Sequence, residues 1–253
     1  MKAAVVTGAA SGIGRATAER MALAGTRVLA VDIDKDRMGW VADTEGIESL
    51  CADVCIEADN ERMVETALSR FGRLDAAILN AGRPGSGPID QLDLAVFENV
   101  LAVNLRGVAL GIRAAVPAMR RGGGGAIVVT ASVSGLGGDP GMWAYNAAKG
   151  GVVNLVRAAA VDHAHEGIRI NAVCPGATLT HMTRPMLERD SGVYDHLRRR
   201  IPMQRWAEAR EIAAAIVFLA STDASFITGA VLPVDGGVTA SSGQFDPPSG
   251  NSS

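Results

Sequence analysis

The sequence predicts an α/β fold in which a parallel sheet is wound with helices on both faces. Three observations lead there. Short apolar runs of strand length alternate with longer segments of helical period along almost the whole chain. A glycine turn joins the first such run to the first helical segment, and the second run is rich in β-branched residues and ends on an acidic one. Strands in that alternation lie parallel because each return crosses the sheet through a helix, which leaves both faces covered.

Residues 2–6 are a short apolar run, followed by Thr7-Gly8-Ala9-Ala10-Ser11-Gly12-Ile13-Gly14 and a helical pattern over 15–24 that stops at Gly25. Strand, glycine turn and helix in that order suit a phosphate. Gly8 permits the tight turn, Gly12 lets the backbone approach a pyrophosphate, and Gly14 lets the helix pack closely on the strand. The helix N-terminus then offers unpaired N–H groups to the anion. Residues 26–31 read as a buried strand ending at Asp32, 18 residues past Gly14. A carboxylate there accepts from a ribose 2′-hydroxyl and repels a 2′-phosphate, which favours NAD over NADP. Capping the next helix is the competing role for Asp32, and Asp34 could fill it.

The alternation continues with a strand over 48–52, a helix over 57–71, a strand over 74–79 and a long helical stretch over about 95–121. Four glycines at 122–125 break the chain. A strand over 126–131, a helix over 143–165, a strand over 168–174, a helix over 207–220 and a last strand near 230–234 complete the series. Ligands of such sheets sit beyond the carboxyl ends of the strands, so the residues just after each strand form the functional shortlist. These are Asp32, Asp53, Asn80-Ala81-Gly82, Ser132 and Pro175-Gly176. No repeat or linker divides the chain. One domain over 1–238 is expected, with a flexible polar tail over 239–253.

Composition narrows the function. At 253 residues, 48% hydrophobic and 20% charged, the chain can bury one large core. A net charge of -3 without a lysine or arginine run gives no footprint for nucleic acid or a membrane surface. No stretch reaches about 18 uninterrupted apolar residues, and the apolar start is too short for a signal segment, so a soluble cytoplasmic protein is expected. Cys51, Cys55 and Cys174 are an odd number on a large chain and are expected as free thiols. Cys51 and Cys55 have no neighbouring pair to complete a metal site, and His163 and His165, two apart on a helix, cannot share a face. No metal is expected.

Tyr145-Asn146-Ala147-Ala148-Lys149 sets a phenol and an ammonium one turn apart on one helix face. The pair alone is common on amphipathic helices. Its meaning comes from its place after Ser132, whose hydroxyl could share a substrate oxygen with the phenol. Such a pair polarises a carbonyl in one direction and removes an alcohol proton in the other. Lowering the tyrosine by about three pKa units requires about 4 kcal/mol, within reach of one close cation plus an oxidised nicotinamide. Ser134 competes with Ser132, though its side chain could instead cap a turn. Asn104 is a poor helix former in the middle of the long helix, so a local kink with a bound water is expected there, against a solvent-facing asparagine.

Taken in order, Thr7-Gly8-x-x-x-Gly12-Ile13-Gly14, Asn80-Ala81-Gly82, Asn104, Ser132, Tyr145-x-x-x-Lys149, Pro175-Gly176 and Asp235-Gly236-Gly237 resemble the short-chain dehydrogenase/reductase family from about residue 3 to 238. The resemblance implies a single-domain Rossmann-type fold with seven parallel strands, a nicotinamide cofactor and commonly a homotetramer. It implies Tyr145 as general acid/base, Lys149 lowering its pKa and holding the nicotinamide ribose, Ser132 on the substrate oxygen and Asn104 keeping a relay water. Around NAD it implies Gly8, Ser11, Gly12, Ile13 and Gly14 of the turn, and Asp32 and Ile33 after the second strand. Asp53 and Val54 would meet the adenine, Asn80, Ala81 and Gly82 the adenosine ribose side, and Pro175, Gly176, Thr178 and Thr180 the nicotinamide end. Two departures stand out: Leu79 where many relatives have asparagine, and His181 where proline is frequent.

The expected reaction is hydride transfer between NAD and a secondary alcohol or ketone. An NADPH-dependent oxoacyl thioester reductase is the second enzyme reading, and Asp32 and the lack of a basic residue at Ser11 weigh against it. A catalytically silent NAD-binding sensor would show degraded catalytic residues, whereas Ser132, Tyr145 and Lys149 are all present. The expected pocket walls are 83–90, 136–143 and a substrate segment over 182–203, with Leu136, Met142, Trp143, Met182, Met186 and Leu187 offering apolar surface. A partly apolar alcohol fits them. His181 could reach substrate from a solvated loop, and Arg198-Arg199-Arg200 reads as a solvated or intersubunit face, or less simply as an anion site.

Overall fold

The computed structural model describes residues 1–91, 93–190, 192–244 and 247. Seven strands form one parallel sheet: β1 (Ala3–Thr7), β2 (Arg27–Asp32), β3 (Ile47–Cys51), β4 (Ala76–Leu79), β5 (Gly125–Thr130), β6 (Ile168–Pro175) and β9 (Val231–Val234). They lie in the order β3-β2-β1-β4-β5-β6-β9, so the winding reverses between β1 and β4. Two short strands, β7 (Thr178–Leu179) and β8 (Ala207–Glu208), pair apart from the main sheet.

Both faces are covered, as the unbroken apolar strands require. One set of alternate strand residues, Val5, Leu29, Ala77, Leu79, Ile127 and Val129, packs under α2 (Glu57–Phe71), α4 (Gly107–Arg121) and α5 (Trp143–His163). The other set, Ala4, Val6, Val28, Ala30, Ile78 and Val128, packs under α1 (Gly12–Leu23) and α8 (Ala209–Ala220). Val152 and Val156 of α5 are fully buried, each worth about 1.5–3 kcal/mol of apolar burial. A charge at either would leave an unpaired ion in the core and unseat the helix that carries Tyr145 and Lys149.

The long helical stretch is not uniform. α3 (Leu94–Leu101) passes into one π turn (Ala102–Arg106) before α4. The whole run, Leu94–Arg121, is 28 residues and, with a mean hydropathy of 1.4 over an 18-residue window, is long and apolar enough to cross a membrane by length and composition, though it holds no 18 uninterrupted apolar residues. It is interrupted by Glu98, Asn99, Asn104 and Arg106, and its α4 part lies on the sheet as a core helix.

Element boundaries fall within a few residues of those expected. The first helix begins earlier, at Gly12, and 207–208 form β8 rather than helix. The segment 182–203 carries two helices, α6 (Arg184–Arg189) and α7 (Gly192–Arg200), and a 3-10 helix fills Asp36–Asp43. Of the expected tail, Thr239 is held by Asp235, which accepts from its N–H at 2.8 Å and its hydroxyl at 2.6 Å. Residues 245, 246 and 248–253 lie outside the described residues.

Candidate active site

The exits of β1 and β4, either side of the point where the winding reverses, form a glycine cradle. Gly8 has φ +67°, open to glycine and strained for other residues, and a Cβ there would come within 2.8 Å of Ala81 Cα. A Cβ on Gly14 would run into the Gly8 carbonyl oxygen. Thr7 closes the joint: its hydroxyl oxygen accepts from the N–H groups of Asn80 at 3.0 Å and Ala81 at 3.1 Å. Asn80 donates from Nδ2 to the carbonyls of Thr7 and Gly8 at 3.1 and 3.3 Å, and accepts from the Thr130 hydroxyl at 3.1 Å. Its side chain therefore braces the cradle. The first turn of α1 has no side-chain cap and no acidic residue, so its N–H groups keep their capacity for an anion.

Asp32 stands beside this turn. Its Oδ2 accepts from the Ala10 N–H at 2.9 Å and its Oδ1 from the Asp34 N–H at 3.0 Å, and both oxygens retain lone pairs. Asp34 takes up the capping role, accepting from the Arg37 N–H at 3.2 Å. Two nearby cations are engaged elsewhere. Arg15 bonds Glu19 at 2.8 Å and lies over the Trp40 ring, and Arg37 pairs with Asp34 at 3.1 Å. Ile33 is exposed. At the exit of β3, Asp53 accepts from the Cys55 N–H at 2.8 Å and gives its own N–H to Asp59 at 2.7 Å. Asn60 donates to the Val54 carbonyl at 2.9 Å, which fixes the shape of that turn.

Ser132, just beyond β5, is 8% exposed. Its hydroxyl oxygen accepts from the Ser134 N–H at 3.1 Å, which leaves its O–H to donate to the Tyr145 phenol. The turn cap foreseen for Ser134 is thus made by Ser132 itself. Lys149 is buried and donates to the Thr130 carbonyl at 2.7 Å, with Nζ 5.7 Å from the centre of the Tyr145 ring. Asn104 sits in the π turn at 0% exposure, which excludes the solvent-facing alternative. It donates to the carbonyls of Arg83 at 2.9 Å and Val100 at 3.1 Å, and accepts from the Arg83 N–H at 3.1 Å. A Cβ on Gly82 would stand 2.9 Å from Asn104 Oδ1 and 3.8 Å from Lys149 Nζ, so Gly82 keeps these two groups close.

The electrostatics differ from the expected lowering of the tyrosine by the lysine. Burial pushes Tyr145 up to about 12, with the Ser132 hydroxyl working against the rise, and burial pulls Lys149 down to about 8. Without a cofactor the lysine loses its charge before the phenol titrates, because both groups are taken out of water and the ammonium has a single carbonyl partner. Cys174, fully buried beneath them, is also pushed up by burial, so it stays a thiol.

The loop after β6 completes the cleft. Gly176 lies so close to Asp235 that a Cβ would come within 2.9 Å of its Cα. A Cβ on Gly12 would be 3.2 Å from the Thr180 side chain, so this loop rests on the glycine turn. Thr178 donates to the Gly176 carbonyl at 2.9 Å. Thr183 donates to the carbonyls of Thr178 and Thr180 at 2.8 and 3.1 Å and accepts from the Thr180 N–H at 3.0 Å. The substrate segment is moored behind it: Trp206 donates to the Tyr194 carbonyl and stacks on its ring, and Arg205 grips Glu211 with two bonds of 2.7 Å.

Other sequence candidates fall outside the cleft. His163 and His165 approach the same carboxylate, Glu166, at 3.2 and 3.8 Å, because residues 164–166 leave the α-helix for a 3-10 turn. Among the described residues no three metal-type side chains come together. Arg198 pairs with Asp195 at 3.0 Å while Arg199, Arg200 and His181 are exposed. Leu79, where asparagine is frequent, fills the notch left by Gly111 of α4. Thr7, Asn60, Thr130 and Thr183 were not foreseen. A polar residue ending an otherwise apolar strand, as Thr7 and Thr130 do, is the signal that could have marked two of them.

These features agree with the relatives of the chain. The family model described as enoyl-(acyl carrier protein) reductase matches residues 8–239. Meso-2,3-butanediol dehydrogenase of Serratia marcescens is 41% identical, with 96% of each chain covered. The crystal structure of levodione reductase superposes with a TM-score of 0.89 at 38% identity, covering 95% of this chain and 98% of that one. A 3-ketoacyl-(acyl-carrier-protein) reductase from Brucella melitensis, solved with NADH, gives 0.88 at 34% identity, covering 94% and 98%. The chain is an oxidoreductase built on a nicotinamide-binding fold. It belongs to the short-chain dehydrogenase/reductase family.

Proposed function

We propose that the chain oxidises a secondary alcohol, or reduces the corresponding ketone, with NAD(H). The observation that carries this reading is the convergence of Ser132, Tyr145 and Lys149 at the strand ends beside the glycine cradle. The cradle fits a dinucleotide because added Cβ atoms would fill it at Gly8 and Gly14. Gly8, Ser11, Gly12, Ile13 and Gly14 would hold the pyrophosphate side, Asp32 and Ile33 the adenosine ribose, and Asp53 and Val54 the adenine. Ala81 and Gly82 would line the ribose side through their backbone, with Asn80 holding them in place. Lys149 would hold the nicotinamide ribose, with Pro175, Gly176, Thr178 and Thr180 about the ring. A bound oxidised nicotinamide supplies the hydride acceptor and a positive charge.

Tyr145 takes the hydroxyl proton of the alcohol and returns it to the ketone in the reverse direction. The Ser132 O–H donates to the developing oxygen charge, aimed by the Ser134 N–H on its lone pair. Asn104 holds the chain at Arg83 open for a relay water. Several features support NAD over NADP: the Asp32 carboxylate, the absence of a base at Ser11, the apolar Ile33, and the engagement of Arg15 and Arg37 in their own ion pairs. The apolar walls, including Leu136, Met182 and the Trp143 ring stacked on Phe97, favour a partly apolar alcohol. A cytoplasmic homotetramer, common in the family, is the proposed working form. The test follows NADH formation over secondary alcohols, sugars, steroids and hydroxyacyl thioesters with each cofactor. Preferred turnover of a secondary alcohol with NAD is expected, and preferred turnover of hydroxyacyl thioesters with NADP would overturn the reading.

A further inference from the structure

The loop that follows Ser132 carries Gly135, Gly137, Gly138 and Gly141, a composition with a high entropy cost of ordering. Its local hydrogen bonds, from Gly135 to Ser132 and from Leu136 and Gly137 to Val133, fold it onto itself. At its far end the Gly141 carbonyl accepts from Gly87 at 2.7 Å. Between these points it lies against α5. Gly135 is so near that a Cβ would come within 2.6 Å of the Lys149 carbonyl oxygen and 3.2 Å of the Gly150 nitrogen.

Asn146, the residue after Tyr145, makes the tie. Its amide nitrogen donates to the Ser134 carbonyl at 2.8 Å and the Gly137 carbonyl at 2.7 Å. Its Oδ1 is buried without a partner among the described residues, so both donor hydrogens, and neither acceptor lone pair, hold the side chain. An asparagine that served its own helix would bond within it, whereas both of these bonds leave α5 and end on the loop.

We propose that Asn146 is a positioning residue for substrate: it clamps 134–137 onto the catalytic helix, so that the Leu136 wall keeps its place relative to Tyr145. The inference rests on the alcohol dehydrogenase reading above. It assigns Asn146 to substrate binding and leaves proton transfer to Tyr145.

The test compares Asn146→Leu, which removes both donors at similar volume, with Asn146→Ser, which keeps one. The probe is the secondary alcohol that the wild type oxidises best. In Asn146→Leu, KM is expected to rise about tenfold, the equivalent of one or two lost hydrogen bonds, with kcat, NADH affinity and the pH profile held. Asn146→Ser falls between. Hydrogen exchange on the protein alone should accelerate at 134–138 and stay unchanged in β5 and α5. Unchanged exchange in the loop, or a fall in kcat at constant KM, overturns the proposal. If Asn146→Leu does not fold, Asn146→Ser decides by the same two readouts, wild-type values of both overturning it. A wild type that oxidises no alcohol refutes the function, while the exchange comparison still decides the clamp.

Discussion

Replacing Lys149 by methionine removes a buried ammonium while keeping an unbranched chain in its cavity. Nζ stands 5.7 Å from the centre of the Tyr145 ring. Unit charges at about that separation interact by about 3 kcal/mol at an effective dielectric near 20, which is about 2 pKa units on the phenol. Alcohol oxidation needs the phenolate, so below the apparent pKa of the pair the rate falls about tenfold per pH unit. Lys149 can help only while charged, and burial pulls it down to about 8, so its help is confined to below about that pH, where its bond to the Thr130 carbonyl holds the ammonium in place. In Lys149→Met the acid limb of the oxidation profile should therefore move up by about 2 units, costing about a hundredfold near neutral pH and recovering in alkali. The assay is the initial rate of NADH formation at saturating alcohol and NAD across the pH range. A limb that stays in place while the rate falls equally at every pH would refute the electrostatic role and leave Lys149 as a ribose ligand alone.

Two further outcomes follow from the cradle. Asp32→Ala should erode the preference for NAD over NADP, measured as the ratio of kcat/KM with the two cofactors; an unchanged ratio removes the carboxylate from the argument. Gly14→Ala should weaken NADH binding and lower Tm, since the new Cβ meets the Gly8 carbonyl and lies 2.6 Å from Asn80 Nδ2, an overpacking of about 1–3 kcal/mol. Gly39→Ala, with nothing within 4 Å of its Cβ, is the control and should leave both unchanged.

The centre of the sheet was legible because β1, β2, β4 and β5 are buried and read as apolar runs, and the glycine turn and Asp32 bracket the first crossover. Asn104 was legible for a related reason: a poor helix former inside a strong helical pattern marked the π turn. The 3-10 helix Asp36–Asp43 and the strands β7 and β8 were not, since they carry no period of their own and rest on contacts with distant segments, Arg15 over Trp40 in the one case and the β7–β8 pairing in the other. At the site, Ser132, Tyr145 and Lys149 could be singled out because their order and spacing resemble those of a known family, and the fold brings them together. Their titration could not be read in the same way, because the rise of Tyr145 and the fall of Lys149 come from burial that depends on the folded surroundings. Thr7, Thr183 and Asn146 escaped for a similar reason: each acts by bonding a backbone far from it in sequence or across a loop, and side-chain type alone does not say where such a bond ends.

Tyr145→Phe tests the account most directly, because it deletes one oxygen and leaves the ring packing in place. Turnover of the preferred alcohol should fall nearly to nothing while NADH titrated into the variant binds as it does to the wild type. Normal turnover in that variant would contradict the assignment of the proton to Tyr145 and with it the proposed mechanism.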